Sequence, residues 1–158
     1  MDTKTVFVSI VGKPNVGKSS LVNGLVGKKV SIVSNRLQTT RNRIAGVLTQ
    51  GSEQIVFQDT PGFLKNVKSA LDSKMEKALS FSLVDVDVVL MVVEPTSEVS
   101  LQEKNLIERL KKLKVPVILV VNKADLLKNV DDVNEIYEAY LDLFEFSSKF
   151  LVSAISSF

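Results

Sequence analysis

The sequence predicts an α/β protein: a six-stranded, mostly parallel sheet with helices on both faces. Three observations carry this. Apolar, β-branched runs alternate along the chain with segments of helical periodicity. Two of those runs, Val86 to Val93 and Val115 to Val121, are almost wholly Val, Leu, Ile and Met, as strands covered on both sides are. Between the first strand and the first helix, Gly12-Lys13-Pro14-Asn15-Val16-Gly17-Lys18-Ser19 fills every fixed position of G-x-x-x-x-G-K-[ST], the phosphate-binding loop.

In chain order, Thr5 to Val11 reads as a buried strand, and Leu21, Val22, Leu25 and Val26 recur at helical spacing behind the loop. Gly27 to Asn42 is a long polar connection, of the kind that is usually functional. Ile44 to Thr49 and Glu53 to Gln58 flank Gln50-Gly51-Ser52 as a hairpin. Ala70, Leu71, Met75, Ala78, Leu79 and Leu83 give the next helix one apolar face. Ile107, Leu110 and Leu113 mark a helix that begins near Ser100. Pro116 opens the strand ending at Val121, a place where a strand tolerates proline. Val133, Ile136, Tyr137, Tyr140, Leu141 and Phe144 form the cleanest helical stripe, read as core, and Phe150-Leu151-Val152 as a last short strand. The whole, residues 1–158, is read as one domain.

Composition narrows the chemistry. Hydrophobic content of 45% with 24% charged residues is that of a globular protein, and no apolar run reaches the length of a membrane span. Met1-Asp2-Thr3-Lys4 passes straight into a strand, leaving no room for a signal peptide, so the cytoplasm is the expected compartment. With no Cys and no His, disulfides, thiolate or imidazole metal sites and Ser–His or Cys catalysis are excluded. The net charge of +2 hides an asymmetry: residues 3–52 carry basic side chains and no acidic one. Such a basic third suits RNA or a polyanionic nucleotide equally.

The glycine loop sets the site. Glycine lets backbone approach an oligophosphate closely, and the N–H groups and positive end of the following helix face the anion. Gly12 to Ser19, with Ser20 behind, would wrap the phosphates; Lys18 would reach the β- and γ-phosphates and the Ser19 hydroxyl would ligate Mg²⁺. Asp59-Thr60-Pro61-Gly62 follows at a strand's C-terminal end, where ligand-facing residues of an open α/β sheet lie. Asp59 can hold the same metal, and the Gly62 N–H can sense a γ-phosphate. On the long polar loop, Thr40, with Thr39 as the alternative, supplies the hydroxyl that completes the metal's coordination.

Asn122-Lys123-Ala124-Asp125 chooses the base. Asp125 can accept hydrogen bonds from N1–H and the 2-amino group of guanine, donors that adenine lacks. Asn122 would contact the other edge of guanine or tie loops together, and the Lys123 stem would lie along the ring.

With these residues in place the chain resembles the Era family of GTPases. The resemblance runs through G-K-P-N-V-G-K-S-S-L-V-N (Gly12 to Asn23), Lys29 to Ser34, Gln38 to Gly46, Asp59 to Gly62, Asp85-Val86-Asp87 and Asn122 to Asp125. It implies a Ras-like P-loop fold with five helices, Mg²⁺-dependent hydrolysis of GTP to GDP, and a role in small ribosomal subunit assembly on 16S rRNA. It also implies peripheral membrane contact, for which no segment here argues; a monomer is expected. Ser153-Ala154 stand where the family's guanine-contacting S-A-x-x-G segment lies, without its glycine. The family's KH domain and the last helix of the fold are expected to be missing. That would leave an apolar patch near Val6, Val8 and Val152, exposed or covered by a partner.

Hydrolysis would be an in-line attack of water on the γ-phosphate. Phe63 stands just after Asp-Thr-Pro-Gly, where many GTPases keep a water-orienting Gln, so slow turnover is expected. Asn15 occupies the loop position that in K⁺-dependent relatives ligates K⁺; otherwise it shapes the loop. The competing reading is a switch module that holds GDP or GTP with negligible turnover and acts through a protein partner.

Overall fold

Strand β1 (Lys4–Val11) lies at the centre of a six-stranded sheet of order β2-β3-β1-β4-β5-β6. The others are β2 (Arg43–Gln50), β3 (Glu53–Asp59), β4 (Val88–Val93), β5 (Val117–Val121) and β6 (Ser148–Leu151). The structure, a computed structural model, describes residues 4–13, 15–26, 43–59 and 86–154, and the side chains of residues 43–45 and 59 are not among what it describes. Pro14, the polar loop with Thr39 and Thr40, Thr60 to Phe63, and the helix expected over Ala70 to Leu83 fall outside the described residues.

The hairpin β2–β3 is antiparallel and turns at Gly51, whose φ of 61° is the left-handed conformation such turns demand. Every other pairing is parallel, so Asp59, Val93, Val121 and Leu151 end beside or near the C-terminal end of β1. Three helices are described: α1 (Lys18–Val26), α2 (Leu101–Leu110) and α3 (Val133–Leu141). They lie on both faces, as the sequence predicts. On one, Leu21 and Val22 of α1 join Val8, Ile10, Phe57, Val92 and Val120. On the other, Leu106, Ile107 and Leu110 of α2 with Ile136 and Tyr140 of α3 close over Val11, Val89, Met91, Val93, Leu119 and Val121. The alternation of Ile10 and Val11 between the two clusters is the period-2 pattern of a strand covered on both sides.

Two expectations are corrected. Val8 is buried at 6% exposure because it faces α1, and Val152 is half-buried against the same cluster, so of the expected patch only Val6 is exposed. The α3 stripe is core at Val133, Ile136 and Tyr140, but Leu141 is exposed and Phe144 lies beyond the helix. Among the described residues no helix is long and apolar enough to cross a membrane.

Candidate nucleotide site

β1 feeds α1 on one face of the sheet and β4 feeds α2 on the other, so a crevice opens at the strands' C-terminal ends between these connections. Gly12 begins the loop there under tight constraint. A Cβ at this position would stand 2.5 Å from the carbonyl oxygen of Val92 on the neighbouring strand, so a side chain would force the strands apart. Gly17 has φ 97°, and a Cβ there would collide with the Asn122 side chain. Both glycines of the motif are therefore fixed by packing inside this chain. Asn15 also has positive φ, 68°, a conformation Asn tolerates better than most residues, and its side chain is exposed.

Lys18 opens α1 and turns its ammonium back into the loop, donating to the carbonyl oxygens of Gly12 at 2.7 Å and Lys13 at 3.2 Å. Ser19 and Ser20 are exposed in the first turn of α1, where helix N–H groups have no intrahelical acceptor. Val16 is fully buried and anchors the loop in the α1 cluster. Asp59 ends β3 in register with Ile10, which brings its backbone to the loop end of β1.

The base-side residues meet one another. Asn122, at 2% exposure, donates through Nδ2 to the Val16 carbonyl at 2.9 Å and accepts at Oδ1 from the Ala154 N–H at 3.1 Å. Asn122 thus bonds the phosphate loop to the segment at Ala154. Lys123, held at φ 61°, donates to the Asn15 carbonyl at 2.8 Å and lies 3.7 Å from Glu94. Asp125 is exposed, and its Oδ1 accepts from the Ser153 hydroxyl at 2.8 Å. Loops 12–17, 122–125 and 153–154 are thus one hydrogen-bonded unit, although about 100 residues separate the first two (the bonded pairs are 106 and 108 apart).

Two participants, Glu94 and Glu103, had no place in the sequence reading, and Tyr140 entered it only as core. Glu94 follows β4 with no motif around it, and only the fold brings it to Lys123. Glu103 and Tyr140 form a buried hydrogen bond, Tyr140 Oη donating to Glu103 Oε2 at 2.8 Å. Burial first, then the adjacent Glu103 carboxylate, holds the Tyr140 hydroxyl well above its ordinary pKa. The signal for Glu103 was present: Ser100-Leu101-Gln102-Glu103 is a capping box, and both of its reciprocal hydrogen bonds form at the start of α2.

This arrangement has known relatives. Residues 7–123 match the family described as 50S ribosome-binding GTPase. The GTPase Era of Ruminiclostridium cellulolyticum is 40% identical over 157 residues, 99% of this chain and 52% of that protein. The GTPase Era of Lactobacillus helveticus is 53% identical over 122 residues, 77% of this chain and 40% of that one. A crystal structure of Era in complex with MgGDPNP and a fragment of 16S ribosomal RNA superposes with a TM-score of 0.81 at 36% identity, covering 97% of this chain and 52% of its own. The chain thus spans about half the length of the relatives it matches. With the phosphate loop, the Asn122–Asp125 segment and Ser153–Ala154 joined at one end of a six-stranded sheet, and with these matches, the chain belongs to the Era family of GTPases and carries the family's GTP-binding domain.

Proposed function

We propose that this chain binds GTP and GDP and hydrolyses GTP slowly, in the cytoplasm and as a monomer. The observation that carries the reading is the bonded unit in which Asn122 and Lys123 hold the phosphate loop while Ser153 orients Asp125. Gly12, Lys13, Pro14, Val16, Gly17, Lys18, Ser19 and Ser20 take the phosphates; Asn122, Lys123, Asp125, Ser153 and Ala154 take the guanine side. Thr60, Pro61, Gly62 and Phe63, next in sequence after Asp59, would serve the γ-phosphate. Lys18 exchanges its two carbonyl acceptors for phosphate oxygens and so neutralises charge as it develops on the leaving and transferred groups.

Mg²⁺ fits the oxygen donors that the chain offers there: an exposed Ser19 hydroxyl in the first turn of α1 and Asp59 as the last residue of β3, a set of the kind this ion prefers. Ser19, Asp59 and Thr40 (or Thr39) would hold it, and it would supply neutralisation of the phosphate charge. The exposed Asn15 side chain would hold K⁺ beside the same phosphates.

The similarity to an Era bound to a 16S RNA fragment supports ribosomal RNA of the small subunit as the partner, and the basic N-terminal third is consistent with it. A second reading, a nucleotide-binding switch acting through a protein, rests on Phe63, which cannot orient an attacking water.

Titration with fluorescent guanine and adenine nucleotides, followed by single-turnover assays with and without Mg²⁺, tests the proposal. Binding confined to guanine nucleotides and Mg²⁺-dependent phosphate release are expected; tight GDP binding without release selects the switch reading. Equal rates in K⁺ and Na⁺ buffers would reject the role of Asn15. Asp125→Asn exchanges an acceptor for a donor at the 2-amino group of guanine, so GDP affinity should fall by roughly 2 kcal/mol, about 30-fold. Xanthosine diphosphate, with a carbonyl at that position, should recover part of the loss. ATP binding as tight as GTP binding would overturn the guanine assignment.

A further inference from the structure

Among the described residues Glu103 is the one charged side chain that the fold buries, at 1% exposure. Oε1 accepts from the Ser100 N–H at 3.1 Å and its hydroxyl at 2.9 Å; Oε2 accepts from Tyr140. A neutral Gln would serve the capping box as well. A buried carboxylate also needs a cation, and the Nζ of Lys13 stands 3.7 Å from Oε1 with its side chain 27% exposed. Lys13 is the second residue of the phosphate loop, and its own carbonyl is one of the two that hold the Lys18 ammonium. It is thus fixed at both ends, by Glu103 through its side chain and by Lys18 through its backbone.

We infer that Glu103 is a positioning residue of the nucleotide site, acting through Lys13. The inference rests on nucleotide binding at the phosphate loop. Glu103, seated on α2 and α3, anchors the loop's second residue across the crevice. Lys13 in turn neutralises a carboxylate that would otherwise oppose the anionic phosphates. This link makes the packing of α2 and α3 part of the phosphate site.

A double-mutant cycle on the full chain tests it, with GDP affinity and GTP turnover read beside thermal unfolding in the absence of nucleotide. Lys13→Met should weaken GDP binding about tenfold by leaving Glu103 unpaired. Glu103→Gln should weaken it about threefold, and the double variant should stay near the Glu103→Gln value because the unpaired charge is gone. Lys13→Arg, which keeps a cation beside Glu103, should recover most of the GDP affinity that Lys13→Met loses. Losses that multiply in the double variant would overturn the inference, as would lowered unfolding temperatures with GDP affinities left alike. If Glu103→Gln does not fold, Lys13→Met and Lys13→Arg decide it: equal affinities would reject the pair. An unaltered chain that binds no GDP would instead remove the nucleotide reading itself.

Discussion

On the base side of the site, Asn122, Asp125 and Ser153 are joined to each other's loops by bonds between protein groups. On the phosphate side, Lys18 donates to Gly12 and Lys13 of its own loop, neutral acceptors weaker than ionised phosphate oxygens. The difference separates two sources of binding energy. Preorganised groups contribute specificity because little ordering remains to be done on binding. An ammonium that exchanges neutral carbonyl acceptors for ionised ones gains only the difference, but that difference is charge-assisted and large. Selectivity should therefore reside at Asp125 and strength at Lys18.

The sharpest way to break this comparison is Lys18→Met. It removes the charge while leaving the base side intact, and GDP affinity should fall about a hundredfold or more, roughly 3 kcal/mol, in a direct titration. The ratio of guanine to adenine nucleotide affinities should persist. Binding as tight as the unaltered chain's would show that the loop amides carry the phosphate side alone.

Asn122→Ala attacks the tie between the two sides. It strands the buried Val16 carbonyl and the Ala154 N–H, so about 2 kcal/mol of stability should be lost. The unfolding temperature should drop by about 4–8 °C and affinity for GDP should fall with it. An unchanged melting curve would mean that the loops are held by packing and not by this side chain.

Ser153→Ala is the gentlest probe. Without the hydroxyl that orients Asp125, GDP affinity should decline by about 1 kcal/mol or less, a fewfold effect, while Lys18-dependent binding of the phosphates is untouched. A loss as large as that of Asp125→Asn would show the hydroxyl itself to be a principal guanine contact.

Much of this was legible in the residues. The phosphate loop stood out because glycine, lysine and serine at fixed spacing between a strand and a helix have few other uses. The hairpin was legible because Gln50-Gly51-Ser52 supplies a turn between alternating runs, and β2 and β3 pair across it. The apolar patch was misjudged at Val8, because its burial depends on which face of β1 receives α1, a choice that local pattern leaves open. Glu103 was passed over for a related reason. A capping box shows on the sequence, yet nothing local says that its carboxylate will be sealed beneath Tyr140 and meet Lys13.

By itself the sequence determined the described strands and helices, their order and the phosphate loop, because periodicity and glycine spacing are short-range properties. The tertiary structure alone decided that Asn122 serves the loops, that Lys123 reaches Asn15 and Glu94, and that α2 and α3 share a buried charge with the phosphate loop. These contacts join residues up to 108 positions apart, and only the parallel register of the strands, ending their loops at one edge of the sheet, brings them within hydrogen-bonding distance.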